Sequence, residues 1–213
     1  MTSDPAILID MLAHRSFMRL VLAVVSLQLV ACGPSEPPRI TYVLGEPAAG
    51  IEESEFLSGR PAIEVKQVLM PDYLDGSDIV IRRPGNVLQP SPTGRWAERL
   101  SLGTTRALAD GLARRLPEFV VTTSAQDPPQ PCQVLVNVDS FERNADQPVV
   151  LVAQWRILRG AARQALAGER VSLTESVTGS DDATLVAAMS RAVDDLAGRI
   201  AAGIHDLGPA CVE

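Results

Sequence analysis

Residues 132–141, CQVLVNVDSF, alternate apolar and polar side chains, and this stretch decides the fold. Successive side chains of a strand point to opposite sides. One face of the extended chain therefore carries Cys132, Val134, Val136 and Val138. PVVLVAQWRIL at 148–158 and QALAGERVSLTESV at 164–177 follow after short links. Three consecutive strands with short connections predict an antiparallel meander.

Helical periodicity lies on both sides of this meander. After it, apolar residues recur every three or four positions at Leu185, Met189, Ala192, Leu196, Ile200 and Ile204. Asp181 or Asp182 can cap this helix, which we expect to run to about His205. A second helical pattern extends from Trp96 to Leu116, and Pro117 ends it.

Shorter strands are predicted nearer the amino terminus. Their ranges are 40–44, 61–68, 79–82 and 118–122, and Val87-Leu88 could form a hairpin with the third. Pro90, Pro92 and Gly94 then break the chain. The order of strands, helix, strands, helix predicts a single-domain α/β sandwich over residues 40–213. Its sheet is mixed, largely antiparallel, and two long helices pack on it.

Composition excludes several classes of function. The chain has 213 residues, of which 46% are hydrophobic and 21% charged, and a net charge of −7. An acidic chain is a poor nucleic-acid binder, because phosphates require clustered cations. His205 is the only histidine after the leader described next, and no metal-ligand cluster, phosphate loop or nucleophile motif is present. We therefore expect no enzyme activity, no cofactor and no metal site.

A secretory leader precedes the domain. Residues 20–31, LVLAVVSLQLVA, form an apolar run that follows Arg15 and Arg19. A run of about 12 residues is shorter than the ~20 needed to span a bilayer, so residues 1–31 are predicted to be a signal peptide. The start codon could be that of Met1, Met11 or Met18. Residues 29–32, LVAC, resemble the bacterial lipobox, which implies that Cys32 carries lipid.

The residues after Cys32 indicate where the protein is anchored. Residue 33 is Gly rather than Asp, which by the sorting pattern of enterobacterial lipoproteins favours the outer membrane, on its periplasmic side. Residues 32–39 contain three prolines and form a stiff tether. The seven residues from Gly33 to Arg39 reach at most ~25 Å when fully extended, so we expect the domain to lie close to the membrane.

Cys132 and Cys211 remain once Cys32 is lipidated. An even pair of cysteines in the oxidising periplasm predicts a disulfide. The alternative is two unrelated buried thiols.

A family resemblance lies between residues 70 and 100. MPDYLD at 70–75, IVIR at 79–82 and RWAERL at 95–100 resemble the ABC-type transport auxiliary lipoprotein family, although Arg99 replaces a frequent proline. The resemblance implies a non-enzymatic role. Such lipoproteins work with MCE-domain proteins and inner-membrane permeases that move lipids or other hydrophobic molecules between the two membranes.

A second class of function is an outer-membrane lipoprotein that scaffolds or activates a periplasmic cell-envelope enzyme. The sequence leaves open whether the chain forms a homo-oligomer.

Four residues of the family block are candidates for partner binding: Tyr73, Leu74, Arg95 and Trp96. Tyr73 and Leu74 form either an exposed apolar plug or a buried anchor of the turn. Arg95-Trp96 is either an interface hot spot or a place where Trp96 packs a helix start onto the sheet.

Three carboxylates in the same block, those of Asp72, Asp75 and Asp78, lack the spacing of a calcium loop. We interpret them as capping groups of the turn. Arg82-Arg83 is interpreted as a solvated strand end.

Overall fold

A computed structural model describes residues 38–45, 60–124, 132–145, 147–160 and 163–211. Its strands in chain order are β1 (Ile40–Tyr42), β2 (Ala62–Val65), β3 (Asp78–Arg83), β4 (Val87–Trp96), β5 (Val120–Thr122), β6 (Cys132–Asn144), β7 (Val149–Arg159) and β8 (Gln164–Glu175). The helices are α1 (Leu100–Arg115) and α2 (Asp182–Leu207), and a short 3-10 helix covers Gly208–Cys211. The predicted signal peptide and Cys32 lie outside the described residues.

Strand β6 is the centre of the sheet. It pairs antiparallel with β7 along its length, and β7 pairs antiparallel with β8, which confirms the predicted meander. The opposite side of β6 is shared by two strands. Its first residues pair in parallel with β2, and its last residues pair in parallel with β3. The sheet therefore forks at β6: one branch continues through β2 to β5, the other through β3 and β4 to β1.

Both helices contribute to one hydrophobic core on one side of this sheet. Every residue of the predicted apolar stripe of α2 is buried. Asp181 caps the start of that helix, because its carboxylate accepts a 2.9 Å hydrogen bond from the amide of Thr184. The helices touch at Gly111, where a Cβ atom would come within 2.8 Å of the Cβ of Ala197. Within the described residues, no helix is long and apolar enough to cross a membrane.

The prediction that the chain breaks at Pro90, Pro92 and Gly94 is wrong, because β4 runs through them. The β3–β4 register shifts in this region, and the first half of β4 pairs only with β3 among the described strands. Proline is tolerated where its missing N–H faces no partner strand. The hydroxyls of Ser91 and Thr93 each donate a 2.7 Å hydrogen bond to Asp182, which joins β4 to the start of α2.

Trp96 ends β4 instead of beginning the helix, which starts four residues later at Leu100. The backbone amide of Trp96 donates a 2.7 Å hydrogen bond to the carbonyl of Ser77. That bond keeps Trp96 in the sheet and places the β4–α1 corner beside the turn that precedes β3.

Candidate partner-binding surface

Residues 70–75, the first segment of the family block, form a tight turn between β2 and β3. The amide of Leu74 donates to the carbonyl of Pro71 at 2.9 Å, so the chain reverses over four residues. Leu74 points into the core and is 1% exposed, whereas Tyr73 points outwards and is 39% exposed. The turn is thus anchored by Leu74 and presents Tyr73 to solvent. Leu74 is not available to a partner, which corrects its place among the candidate contact residues.

Asp75 connects this turn to α1. Its carboxylate accepts a 2.9 Å hydrogen bond from the amide of Ser101 and forms an ion pair with Arg99. Burial alone would raise the pKa of Asp75, but the hydrogen bonds from Ser101 and Arg99 outweigh burial and lower it. Arg99, the residue before the helix, provides no side-chain cap. Asp75 therefore caps α1 from another part of the chain.

The side chains of Tyr73, Arg82 and Glu142 meet on the side of the sheet opposite the helices. Arg82 donates from Nε to Oε1 of Glu142 at 2.8 Å, and its guanidinium lies 5.6 Å from the centre of the Tyr73 ring. Arg82 also donates to the hydroxyl of Tyr73 at 3.2 Å, and that hydroxyl lies 3.4 Å from Glu142. Glu142 is only 6% exposed. The cluster therefore holds a partly exposed aromatic ring on an ion pair in which the carboxylate is buried and the guanidinium is half-buried.

Electrostatics within the cluster stabilise this arrangement. Burial, followed by the nearby carboxylate of Glu142, raises the pKa of Tyr73, so the phenol remains neutral at physiological pH. The hydrogen bond to Glu142 raises the pKa of Arg82. The ring of Tyr73 is therefore held against a permanent cation, an arrangement in which cation–π attraction contributes about 0.5–1 kcal/mol at exposed sites.

Apolar side chains border the cluster. Val150 lies opposite Glu142 in the β6–β7 register, and Val152 lies one step along the same face. Both are half-buried. Leu69, which is 64% exposed, lies further along β6, where it is bridged to Asn137, five residues before Glu142. We call Leu69, Tyr73, Arg82, Val150 and Val152 the Tyr73 surface. Two of its residues, Tyr73 and Arg82, are of types that are enriched in protein-binding hot spots.

The other two candidates lie at the β4–α1 corner. Arg95 is exposed and pairs in register with Thr41 of β1 and Asp78 of β3. Trp96 is 4% exposed and belongs to the core. Of the two interpretations of Trp96, core packing therefore holds, because its ring is buried within the hydrophobic core and is not available to a partner.

Glu142 was not singled out in the sequence, and Arg82 was interpreted as a solvated strand end. No local sequence pattern connects Arg82 with Glu142, because 60 positions separate them. The parallel register of β3 and β6 brings them together. The signal that points to Arg82 is its place in the family block beside Tyr73.

The structure contains a disulfide between Cys132 and Cys211. It joins the first residue of β6 to the 3-10 helix that follows α2. Arg159 of β7 donates hydrogen bonds of 2.9 and 3.1 Å to the carbonyl of Ala210, so the same end is also attached to the meander. Among the described residues, no group of three or more His, Cys, Asp or Glu side chains is arranged to hold a metal ion.

Comparison with known structures shows the fold. A crystal structure of an uncharacterized protein aligns with a TM-score of 0.65 at 22% identity, over 78% of this chain and 98% of that one. Protein XCC0632 from Xanthomonas campestris aligns with a TM-score of 0.60 at 14% identity, over 79% and 95% of the two chains.

Comparison of sequences shows the family. The chain is 27% identical over 139 residues to the intermembrane transport lipoprotein PqiC of Escherichia coli (strain K12), covering 63% of this chain and 71% of that protein. PqiC of Shigella flexneri matches equally well. The model of the ABC-type transport auxiliary lipoprotein component family matches residues 42–201. The chain therefore belongs to the ABC-type transport auxiliary lipoprotein component family.

Proposed function

We propose that the protein is an outer-membrane-anchored periplasmic lipoprotein that serves as the docking component of an MCE/ABC-type system for intermembrane transport of lipids or other hydrophobic molecules. Membership of the family and the lipobox at Cys32 support this role. On this proposal the partner is an MCE-domain protein, which works with an inner-membrane permease. The lipoprotein itself carries out no chemical step.

The Tyr73 surface is the observation that carries the proposal, and we assign partner binding to it. Tyr73 is held outwards by Arg82, and Leu69 is the most exposed large apolar residue described. An exposed tyrosine held in place by an arginine combines two of the residue types that dominate protein-binding hot spots. Arg95, exposed at the neighbouring corner, lies at the margin of the same interface.

A pull-down of the MCE protein encoded with this chain tests the proposal. Leu69→Ala and Tyr73→Ala should each weaken binding about ten-fold or more. Leu69→Ala should leave the melting temperature nearly unchanged because its side chain is exposed, whereas Tyr73→Ala should lower it by about 2–4 °C because the contacts with Arg82 are lost. Leu102→Ala is the matched control, since Leu102 is also exposed but lies on α1. Full binding by both variants would remove the Tyr73 surface from the interface.

The wild-type pull-down also separates the two classes of function. Capture of the MCE protein supports transport. Capture of a peptidoglycan enzyme in place of an MCE protein would favour the scaffolding alternative and overturn the proposed role.

A further inference from the structure

Strand β8 presents a long free edge. Within the described residues it pairs only with β7, and it is 12 residues long. The strands at the other two ends of the sheet, β1 and β5, have three residues each. Natural sheets protect their edges by shortness, proline or lysine. β8 is long and has no proline or lysine. It has a register shift at Leu166 and charged side chains, but from Ala167 to Glu175 it pairs with β7 without interruption, so a row of backbone N–H and C=O groups faces outwards there.

A cleft of about 420 Å³ follows the helix side of this edge. It lies between β8 and the last turns of α2, and its apolar lining includes Trp155, Ala167, Ala202 and Leu207. In the β7–β8 register Trp155 lies opposite Glu169, so the side chains that face the helices from β8 border the cleft. A strand added beside β8 would direct every second side chain towards the same space.

Charged side chains surround this cleft. Glu169, Asp206 and Arg199 line it, and none of the three forms a salt bridge in the part of the chain that the structure describes. Two carboxylates and one guanidinium give the rim a net negative charge. Elsewhere on β8, Arg170 is paired with Asp139 and Glu175 with Arg191. The unpaired charge is therefore concentrated at the cleft and favours a basic group in what binds there.

We infer that β8 and the adjacent cleft bind an extended segment of a partner protein, which adds a strand to the sheet. The segment places an apolar side chain in the cleft and a basic residue beside Glu169 and Asp206. Strand addition explains both features, because main-chain hydrogen bonds give affinity and side-chain pockets give specificity. This site is distinct from the Tyr73 surface and does not depend on the transport partner proposed above.

A phage-displayed library of random peptides, selected on the folded domain, is the probe. We expect enrichment of peptides with alternating apolar residues and a nearby Lys or Arg. Bound peptide should slow amide hydrogen exchange at every second residue of β8 and change the fluorescence of Trp155. Glu169→Gln should weaken binding several-fold and reduce its dependence on salt.

Steric variants give the decisive control. Ala202 and Ala187 are both exposed on α2, but only Ala202 borders the cleft. Ala202→Phe should weaken binding about ten-fold or more, whereas Ala187→Phe should leave it unchanged. The inference would be overturned if Ala202→Phe and Ala187→Phe bound peptide with equal affinity, if no peptide were enriched, or if bound peptide slowed amide hydrogen exchange outside β8 instead. Protection of β8 by dimerisation without peptide would also overturn it, because the occupant would then be a second copy.

Discussion

Single residues of the family block connect elements that are distant in the chain. Tyr73 and Asp75 lie in one turn, yet Tyr73 contacts Arg82 and Glu142 of the sheet, and Asp75 caps α1. Leu74, between them, is buried. The block therefore acts as a structural junction, and its outward-facing residue is the part available for recognition.

Asp75→Asn should destabilise the fold by up to about 1 kcal/mol, because asparagine can still accept the hydrogen bond from the Ser101 amide but lacks the negative charge at the helix start and the ion pair with Arg99. The pKa of Asp75 is lowered in the folded protein, so its stabilising contribution is present above the unfolded pKa of about 4 and is lost as pH falls through the lower folded pKa. The difference between wild type and variant in urea melts should therefore shrink in acid. Asp72→Asn, in the same turn but exposed, is the control. An equal deficit at every pH would contradict the capping role.

Arg82→Met should cost about 2–3 kcal/mol, because it leaves the buried carboxylate of Glu142 without its cation. Arg83→Met should cost less than about 0.5 kcal/mol, since among the described residues the Arg83 side chain bonds only to Gln89, in an exposed hydrogen bond. Denaturant unfolding of the two variants measures the difference. Similar losses would show that Glu142 does not depend on Arg82.

The secondary-structure elements show which sequence signals were sufficient. The spacing of apolar residues predicts the meander and both helices, because each of these elements turns one face towards the same core and the pattern can be seen within a short stretch of sequence. The course of β4 could not be predicted in this way. Its prolines are tolerated only because of the register shift and the short overlap with β1, and both depend on strands far away in the chain. The fork at β6 leaves no local pattern for the same reason.

Two glycines of α2 should respond in opposite directions to alanine. A Cβ atom at Gly203 would lie 2.7 Å from a ring carbon of the buried Trp155, so Gly203→Ala should destabilise the protein by more than about 1 kcal/mol. At Gly198 the nearest atom is the Arg115 side chain at 3.6 Å, so Gly198→Ala should stabilise by up to about 1 kcal/mol. Thermal melts compare the two. A loss at both positions would show that the helix is packed more tightly at Gly198 than these distances indicate.

The link between β6 and the 3-10 helix should contribute strongly to stability. The cysteines are separated by 79 positions, for which chain entropy predicts about 4–5 kcal/mol. Cys211→Ser should therefore lower the free energy of unfolding by about 2–5 kcal/mol, and reductant should do the same to the wild type only. Peptide mapping without reductant checks the bond itself. Recovery of both cysteines as free thiols from the exported protein would contradict the predicted disulfide.

The predicted lipid anchor at Cys32 would determine where the whole molecule is located. Cys32→Ser should leave the protein uncleaved or release it into the periplasm, because several acyl chains are needed for permanent attachment. Fractionation with radioactive palmitate labelling measures this. The Cys132→Ser variant is the control and should label normally. A Cys32→Ser protein that still labels and partitions into detergent would contradict lipidation at this residue.

The forked sheet has a consequence for how the nascent chain matures after secretion. Both strand neighbours of β2 and the single described neighbour of β1 occur later in the chain. An amino-terminus-first polypeptide therefore emerges with these strands unpaired, and of the described strands that precede β6 only β3 and β4 form a hairpin from adjacent segments. The β1–β4 and β2–β5 pairings join strands that are far apart in the chain, and the pairings of β2 and β3 with β6 wait for β6 itself. Such non-local pairing is slow and exposes aggregation-prone edges. We expect holding chaperones of the periplasm to act during this interval, on the segment that precedes β6.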